Sequence, residues 1–176
     1  MSPSPDPARC SIRPTTGSAD EIALVAERMR ATLVEVLGEA QGGSMYSLDW
    51  LRDRVAFHLD PARSDGALFL AERGGAVVGH TMVRVEHDPE PFGLFSTTWV
   101  CPEHRRAGVA NALLDAGEAW FAIRGLPRFA TDTSDANTPL LRLFSRRGYE
   151  IVHRAPEARM VRLGRPAPDP RPADRE

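Results

Sequence analysis

Lysine is missing from this chain of 176 residues: all 22 of its basic side chains are arginine. Alongside plentiful Ala, Pro and Gly, this reads as the imprint of a GC-rich genome. Its chemical consequence is that the chain carries no lysine amine, only the N-terminal one. Cysteine is almost as scarce. Cys10 and Cys101 make neither a zinc site nor a disulfide scaffold, so no metal is expected and a reducing, cytoplasmic setting is the default. No apolar run reaches the ~18 residues that a membrane-spanning helix needs. Residues 1–9 have neither the cationic start nor the apolar stretch of a secretory signal. Charge of one sign is not in excess either. A formal net charge of −2 excludes a global pull toward nucleic acid or an anionic membrane, and there is no helix-turn-helix signal or basic stripe.

What is present suffices for one buried core, with 42% of residues hydrophobic. Residues 1–9 and 164–176 are rich in Pro and charge and are expected to be tails. Residues 10–163 contain no linker or internal repeat and read as one domain. Ser11, Ile12 and Arg13 make a short strand. Ser18 opens a helix, with Glu21 completing a capping-box pattern. Ile22, Val25, Met29, Leu33 and Leu37 follow at helical spacing as far as Gly38. Residues 41–45 read as loop, and residues 47–59 as a second helix stopped by Pro61. Alternating apolar runs at 67–72 and 76–86 flank Gly74-Gly75 as a hairpin. A strand at 94–100, a long helix at 107–124, a strand at 129–133, a short helix at 140–147 and strands at 149–154 and 160–163 complete the pattern. Hairpins demand antiparallel pairing, and the helix between the fourth and fifth strands demands a parallel crossover. The expected class is α/β with α+β character: a mixed, mostly antiparallel central sheet with helices on both faces.

The most informative stretch runs from Val100 to Ala110. A strand ends, Pro102 forbids its continuation, and a turn feeds directly into an amphipathic helix. Arg105-x-x-Gly108-x-Ala110 puts small residues at a helix start, where unpaired N–H groups and a partial positive charge favour a phosphate. Arg105 and Arg106 add charge. A tight turn with two solvated arginines is the plainer reading of the same residues. No Gly-Lys-Ser/Thr is present for a Walker loop, and the first Gly of a dinucleotide fingerprint is missing.

Here the chain resembles the GNAT family of N-acetyltransferases, over about residues 11–163. In that family a Val-x-Pro…Arg/Gln-x-x-Gly-x-Gly/Ala segment binds the pyrophosphate of acetyl-CoA. A second motif follows a strand, and here Asn137, Leu140, Leu143, Phe144, Gly148 and Tyr149 stand at its places. The resemblance implies acetyl-CoA as co-substrate. Trp99 and Val100 would lie along its pantetheine and acetyl group, with Arg105, Arg106, Ala107, Gly108, Val109 and Ala110 on the phosphates. Asn137 would meet the pantetheine arm, and Phe144 would close the same site. The implied reaction moves an acetyl group to a primary amine of a small molecule or peptide. A non-catalytic acyl-CoA-binding domain and an O-acyltransferase remain as alternatives, and a homodimer is left open.

Attack on a thioester needs a neutral amine, yet an alkyl ammonium of pKa ~10.4 is about a thousandfold protonated at neutral pH. A base or a desolvating site must remove the proton. Asp132, next to Thr133 and five residues before Asn137, is the first candidate, since ribosomal-protein N-terminal acetyltransferases of the family place a Glu there. An Arg-paired carboxylate at a strand end is the plainer reading. Glu86, His87 and His80 are further candidates. The developing alkoxide needs a donor, which the resemblance assigns to a backbone N–H freed by a bulge near Val100. The family's usual acid, a Tyr, is replaced by Phe144, which cannot donate a proton. A thiolate of pKa ~8.5 is nevertheless a tolerable leaving group. The acceptor is expected across the sheet, where the fourth and fifth strands splay, between the first two helices and the last turn. Ser96 and Thr98 are candidates to line its path, Glu35, Glu39, Glu86, Asp88 and Glu90 to attract a cationic amine, and Tyr46, in the loop between the first two helices, to reach the site in place of the missing acid.

Overall fold

The computed structural model describes residues 9–169. In chain order its elements are β1 (Ser11–Pro14), α1 (Ala19–Leu37), α2 (Glu39–Ser44), α3 (Leu48–Leu59), β2 (Gly66–Arg73), β3 (Ala76–Glu86) and β4 (Phe92–Val100). They continue with α4 (Val109–Ile123), β5 (Arg128–Ser134), α5 (Thr138–Arg146), β6 (Glu150–Ala155) and β7 (Met160–Pro166). Ser18 caps α1 by accepting the Glu21 N–H, and Ser47 caps α3 by accepting that of Trp50. Glu21 does not return the bond to Ser18 as a capping box would. Its carboxylate accepts instead from the Thr16 N–H and from Arg13, tying α1 to β1.

Two differences from the expected elements have physical causes. Residues 41–45 were expected as loop, yet Glu39–Ser44 is the short helix α2. Its Gly42 lies against the α1 backbone, where an added Cβ would stand 2.2 Å from the Leu33 carbonyl oxygen. The glycine that weakens a helix by local propensity is required here by a helix crossing. The last strand also runs past Leu163. Gly164, Arg165 and Pro166 pair with Ala130, Phe129 and Arg128, so the sheet extends into what reads as tail. Of the rest of both expected tails, residues 9 and 167–169 carry no regular structure, and residues 1–8 and 170–176 lie outside the described residues.

The sheet order is β1-β2-β3-β4-β5-β7-β6. Every neighbouring pair is antiparallel except β4 and β5, joined by the α4 crossover. Helices α1 and α3 cover one face through Val25, Ala26, Leu51 and Val55, packed on Leu68, Leu70 and Met82. Helices α4 and α5 cover the other, where Phe95, Phe121, Phe129, Phe144 and Tyr149 gather with Leu114 and Leu163. The rings of Phe95 meet Phe121 and Phe144 edge-on at 5.0 and 5.5 Å, contacts worth ~0.5–1.5 kcal/mol each beyond area burial.

The parallel pair β4–β5 is the feature that makes room for a site. Its register covers only Gly93↔Phe129, Leu94↔Ala130 and Phe95↔Thr131, after which the strands part. On its other edge β4 carries a bulge. Phe95 pairs with Val83 and Thr97 with Met82, leaving Ser96 as the extra residue.

Candidate active site

Two cavities open where β4 and β5 separate. One, of about 430 Å³, lies between α1, the end of β4, the start of α4 and α5. The other, of about 650 Å³, lies between α1, α2, α3 and the turn joining β6 to β7. They share Thr32, Val36, Thr98, Asn137 and Leu140, so they meet at Thr98 in the splay.

The first cleft gathers Trp99, Val100, Arg105, Arg106, Gly108, Val109, Ala110 and Asn137 from the sequence-based set. Gly108 caps α4 in the left-handed region at φ 80°, and the preceding Arg106 has φ 62°. The Ala112 N–H makes the first bond of the helix, to the Gly108 carbonyl, so those of Val109, Ala110 and Asn111 have no partner from the helix itself. No acidic residue occupies that first turn. Such an end has the chemistry to cradle an anion, with free N–H groups and the positive pole of a helix.

Arg105 does not point its charge into the cradle. Its Nε donates to the Val100 carbonyl at 3.0 Å, and its two terminal nitrogens grip Glu35 at 2.7 and 3.0 Å. The Arg105 hydrogen bonds hold the Glu35 carboxyl below its usual range. Arg105 therefore fastens the loop to β4 and α1, and Glu35 lines this cleft and not the second one. Among the described residues, the cationic lining with no ion-pair partner comes from Arg106 together with Arg142 and Arg146, which sequence reasoning passed over. Their i,i+4 spacing on a helix was the available signal. Ala107 is exposed in the loop and does not line the cleft. Phe144 does not line it either. It is wholly buried between Phe95 and Tyr149, because α5 turns Leu140 and Leu143 to the cleft and the next position to the core.

Asn137 sits at the junction and is occupied locally. Its Oδ1 accepts the Leu140 N–H at 3.4 Å, capping α5, and its Nδ2 donates to Thr133 at 3.1 Å. The expected bulge is four residues before Val100, at Ser96, but it governs Val100 all the same. The Cys101 N–H donates to the Val78 carbonyl, so the alternation of an antiparallel ladder turns the N–H groups of Thr98 and Val100 away from β3 and toward the splay. Without the extra residue at Ser96 the opposite set would face outward. Of these two outward donors only Thr98 borders both clefts.

The second cleft has an apolar wall from α1 to α3, including Met29, Leu33, Val36, Leu37, Met45 and Leu51. At its mouth Tyr46 and Trp50 stack at 4.1 Å. Its floor is polar, formed by Ser96, Thr97, Thr98, Thr131 and Thr133. Asp132 lines it, with both carboxylate oxygens bonded by its cross-strand partner Arg162 at 2.7 and 2.8 Å. Glu157, Arg54 and Arg159 are the other charged lining residues. Behind Ser96 lies His58, 1% exposed, whose Nε2 is 2.7 Å from the Ser96 Oγ. His80 borders neither cleft. It is fully buried beside Trp99, burial pushes its pKa down to about 3, and its ring nitrogens have no partner among the described residues. Glu86 is ion-paired with Arg84, and neither it nor His87 reaches a cleft.

Comparison with known proteins places these clefts in context. The profile described as "Acetyltransferase (GNAT) family" matches residues 32–149. A mycothiol acetyltransferase of Thermobispora bispora is 32% identical over 152 residues, covering 84% of this chain and 49% of that protein. An aminoglycoside N(6')-acetyltransferase type 1 of Salmonella typhimurium is 29% identical over 94 residues, covering 50% of this chain and 65% of that protein. The chain spans about half the length of the mycothiol acetyltransferases it matches. Among solved structures, PaiA N-acetyltransferase from Thermoplasma acidophilum in complex with coenzyme A superposes with a TM-score of 0.69 at 12% identity. That likeness covers 89% of this chain and 99% of that one, and it speaks for the fold.

Proposed function

Because this chain belongs to the GNAT acetyltransferase family, we propose that it transfers the acetyl group of acetyl-CoA to a primary amine by direct attack on the thioester. The observation that carries this reading is the meeting of two clefts at Thr98, where β4 turns a backbone N–H into the splay. The residues present fit acetyl-CoA. N–H groups at the start of α4 that have no partner among the described residues, with Arg106, Arg142 and Arg146, suit its phosphates. Val100, Val109, Leu140 and Leu143 offer an apolar trough for the arm. In this reading the Val100 N–H serves the pantetheine end and the Thr98 N–H receives the developing oxyanion.

The acceptor enters from the other cleft. Its apolar wall desolvates an ammonium and so favours the neutral amine, while Asp132 supplies a negative charge without being free of Arg162. The cleft's lining acids, Asp132 and Glu157, are matched by Arg54 and Arg159. That balance suits a monoamine on an apolar or aromatic body better than a polycation. The test is thiol release from acetyl-CoA with arylalkylamines, peptides bearing an apolar first residue, polyamines and aminoglycosides. Turnover is expected with the first two and weak turnover with the last two. Acetyl-CoA binding without turnover on any amine would move the chain to a binding role.

A further inference from the structure

We propose that Ser96 and His58 together form the proton acceptor of the acceptor cleft. The inference rests on the N-acetyl transfer reading and names the group which that reading lacks, since both oxygens of Asp132 are engaged by Arg162. Three observations carry it. Ser96 is the bulge residue of β4, on the cleft floor two positions from Thr98, about 6–7 Å along a strand. Its Oγ lies 2.7 Å from His58 Nε2. The opposite ring nitrogen, Nδ1, lies 2.8 Å from the Arg54 carbonyl, which can only accept. Nδ1 therefore carries the proton, and Nε2 presents a lone pair to the Ser96 hydroxyl.

This tautomer gives Ser96 a direction. Its proton points at His58, and its oxygen lone pairs are left to accept. One accepts from Arg84 at 3.2 Å, and the other has no partner among the described residues, on a side chain that lines the cleft. A hydroxyl so arranged receives an N–H and hands its own proton inward. The charged groups facing the imidazole are Arg54 on α3 and Arg84 and Glu86 on β3. Burial foremost, with the charges of Arg84 and Arg54, holds its pKa down to about 4 against the opposing pull of the Arg54 carbonyl and Glu86, so the ring is neutral at working pH and its Nε2 lone pair is unprotonated.

The amine nitrogen bonds to the thioester carbon, and the carbonyl electrons move to the oxygen facing the Thr98 N–H. The nitrogen's surplus proton passes to Ser96 Oγ as the Ser96 proton passes to His58 Nε2. The C–S bond then breaks, and the thiolate takes a proton from solvent. The imidazolium, destabilised by Arg54 and Arg84, returns its proton through Ser96 to cleft water, which restores both groups.

The test measures kcat and KM for an arylalkylamine in wild type, Ser96→Ala, Ser96→Thr and His58→Phe, with acetyl-CoA affinity by calorimetry. At about pH 7, Ser96→Ala should lose ~10²-fold in kcat while KM and acetyl-CoA affinity stay within about threefold. At about pH 9.5, where more amine is neutral and hydroxide can take the proton, that deficit should shrink at least ~threefold. Ser96→Thr, which keeps a hydroxyl, should recover most of the loss, and His58→Phe should match Ser96→Ala. If His58→Phe fails to fold, the two serine variants decide. A deficit below ~tenfold, one equal at both pH values, or one confined to KM would overturn the relay while leaving N-acetyl transfer standing. Wild type that turns over no amine would overturn both.

Discussion

Single residues in this protein often do something other than their motif position suggests. Arg105 occupies a phosphate-loop position but spends its guanidinium on Glu35 and the Val100 carbonyl. Asp132 meets the plainer expectation for a strand-end acid, a bidentate arginine pair. The two buried histidines give the residue scale a measurable signature. An unfolded imidazole titrates near ~6.5, whereas burial lowers His58 to about 4 and His80 to about 3. Between those values the unfolded chain binds more protons than the folded one. The stabilisation is therefore complete above the unfolded value and is lost as pH falls toward the folded ones. By about pH 4.5 each histidine should have cost on the order of 2–3 kcal/mol. Glu21 is held down at about 2, its desolvation outweighed by hydrogen bonds from Arg13, Thr15 and Thr16, so it adds to the loss as pH falls from the ordinary carboxylate range toward that value. Urea unfolding across pH 7.5 to 4.5 checks this, with His80→Leu expected to flatten the decline. Stability unchanged over that interval would contradict buried, neutral imidazoles.

At the scale of elements, the sequence was most legible where local chemistry decides. Ser18 and Ser47 mark helix starts, and the pair Gly74 and Gly75, both at positive φ, marks the β2–β3 turn. It was least legible where a partner decides. Helix α2 exists because α1 accepts Gly42 at its backbone, and no periodicity announces that. The bulge at Ser96 has no residue signature, yet it sets which N–H groups of β4 face the splay. The start of α4 lies between these cases, since the small residues were readable and the cationic supplement from α5 was not. Its role can be tested at Gly108, where a Cβ would meet no heavy atom within 4 Å, so a substitution there suffers from φ +80° alone. Gly108→Ala should cost ~1 kcal/mol of stability and keep acetyl-CoA binding. Gly108→Glu, with the same backbone strain plus a negative charge, should abolish binding in calorimetry while the circular dichroism spectrum persists. Equal affinities for the two variants would remove the phosphates from this turn.

Across the whole molecule, the sheet is two antiparallel blocks, β1 to β4 and β5 to β7, joined through a short parallel seam. That topology was readable from element order, because a helix between two strands of one sheet demands a parallel crossover. How early the seam ends was not, since strand length within a pair depends on the bulge and on what fills the gap. The first cleft draws its walls from both blocks: Thr32 and Glu35 of α1, the end of β4 and the start of α4 on one side, and Leu140, Arg142 and Arg146 of α5 on the other. A ligand seated there bridges the seam and should stabilise the blocks together. At a concentration 100 times Kd, acetyl-CoA should add ~2.7 kcal/mol, raising Tm by roughly 5–10 °C for a chain of this size. Amide exchange locates the effect. Protection on adding acetyl-CoA should appear in α1 and α5 as well as in the 105–110 turn. Protection confined to the turn would mean that the cleft does not act as one site across the seam. Equal slowing throughout the described residues, with no excess at α1 or α5, would mean that the blocks already unfold as one unit and that the seam is stronger than its three residue pairs suggest.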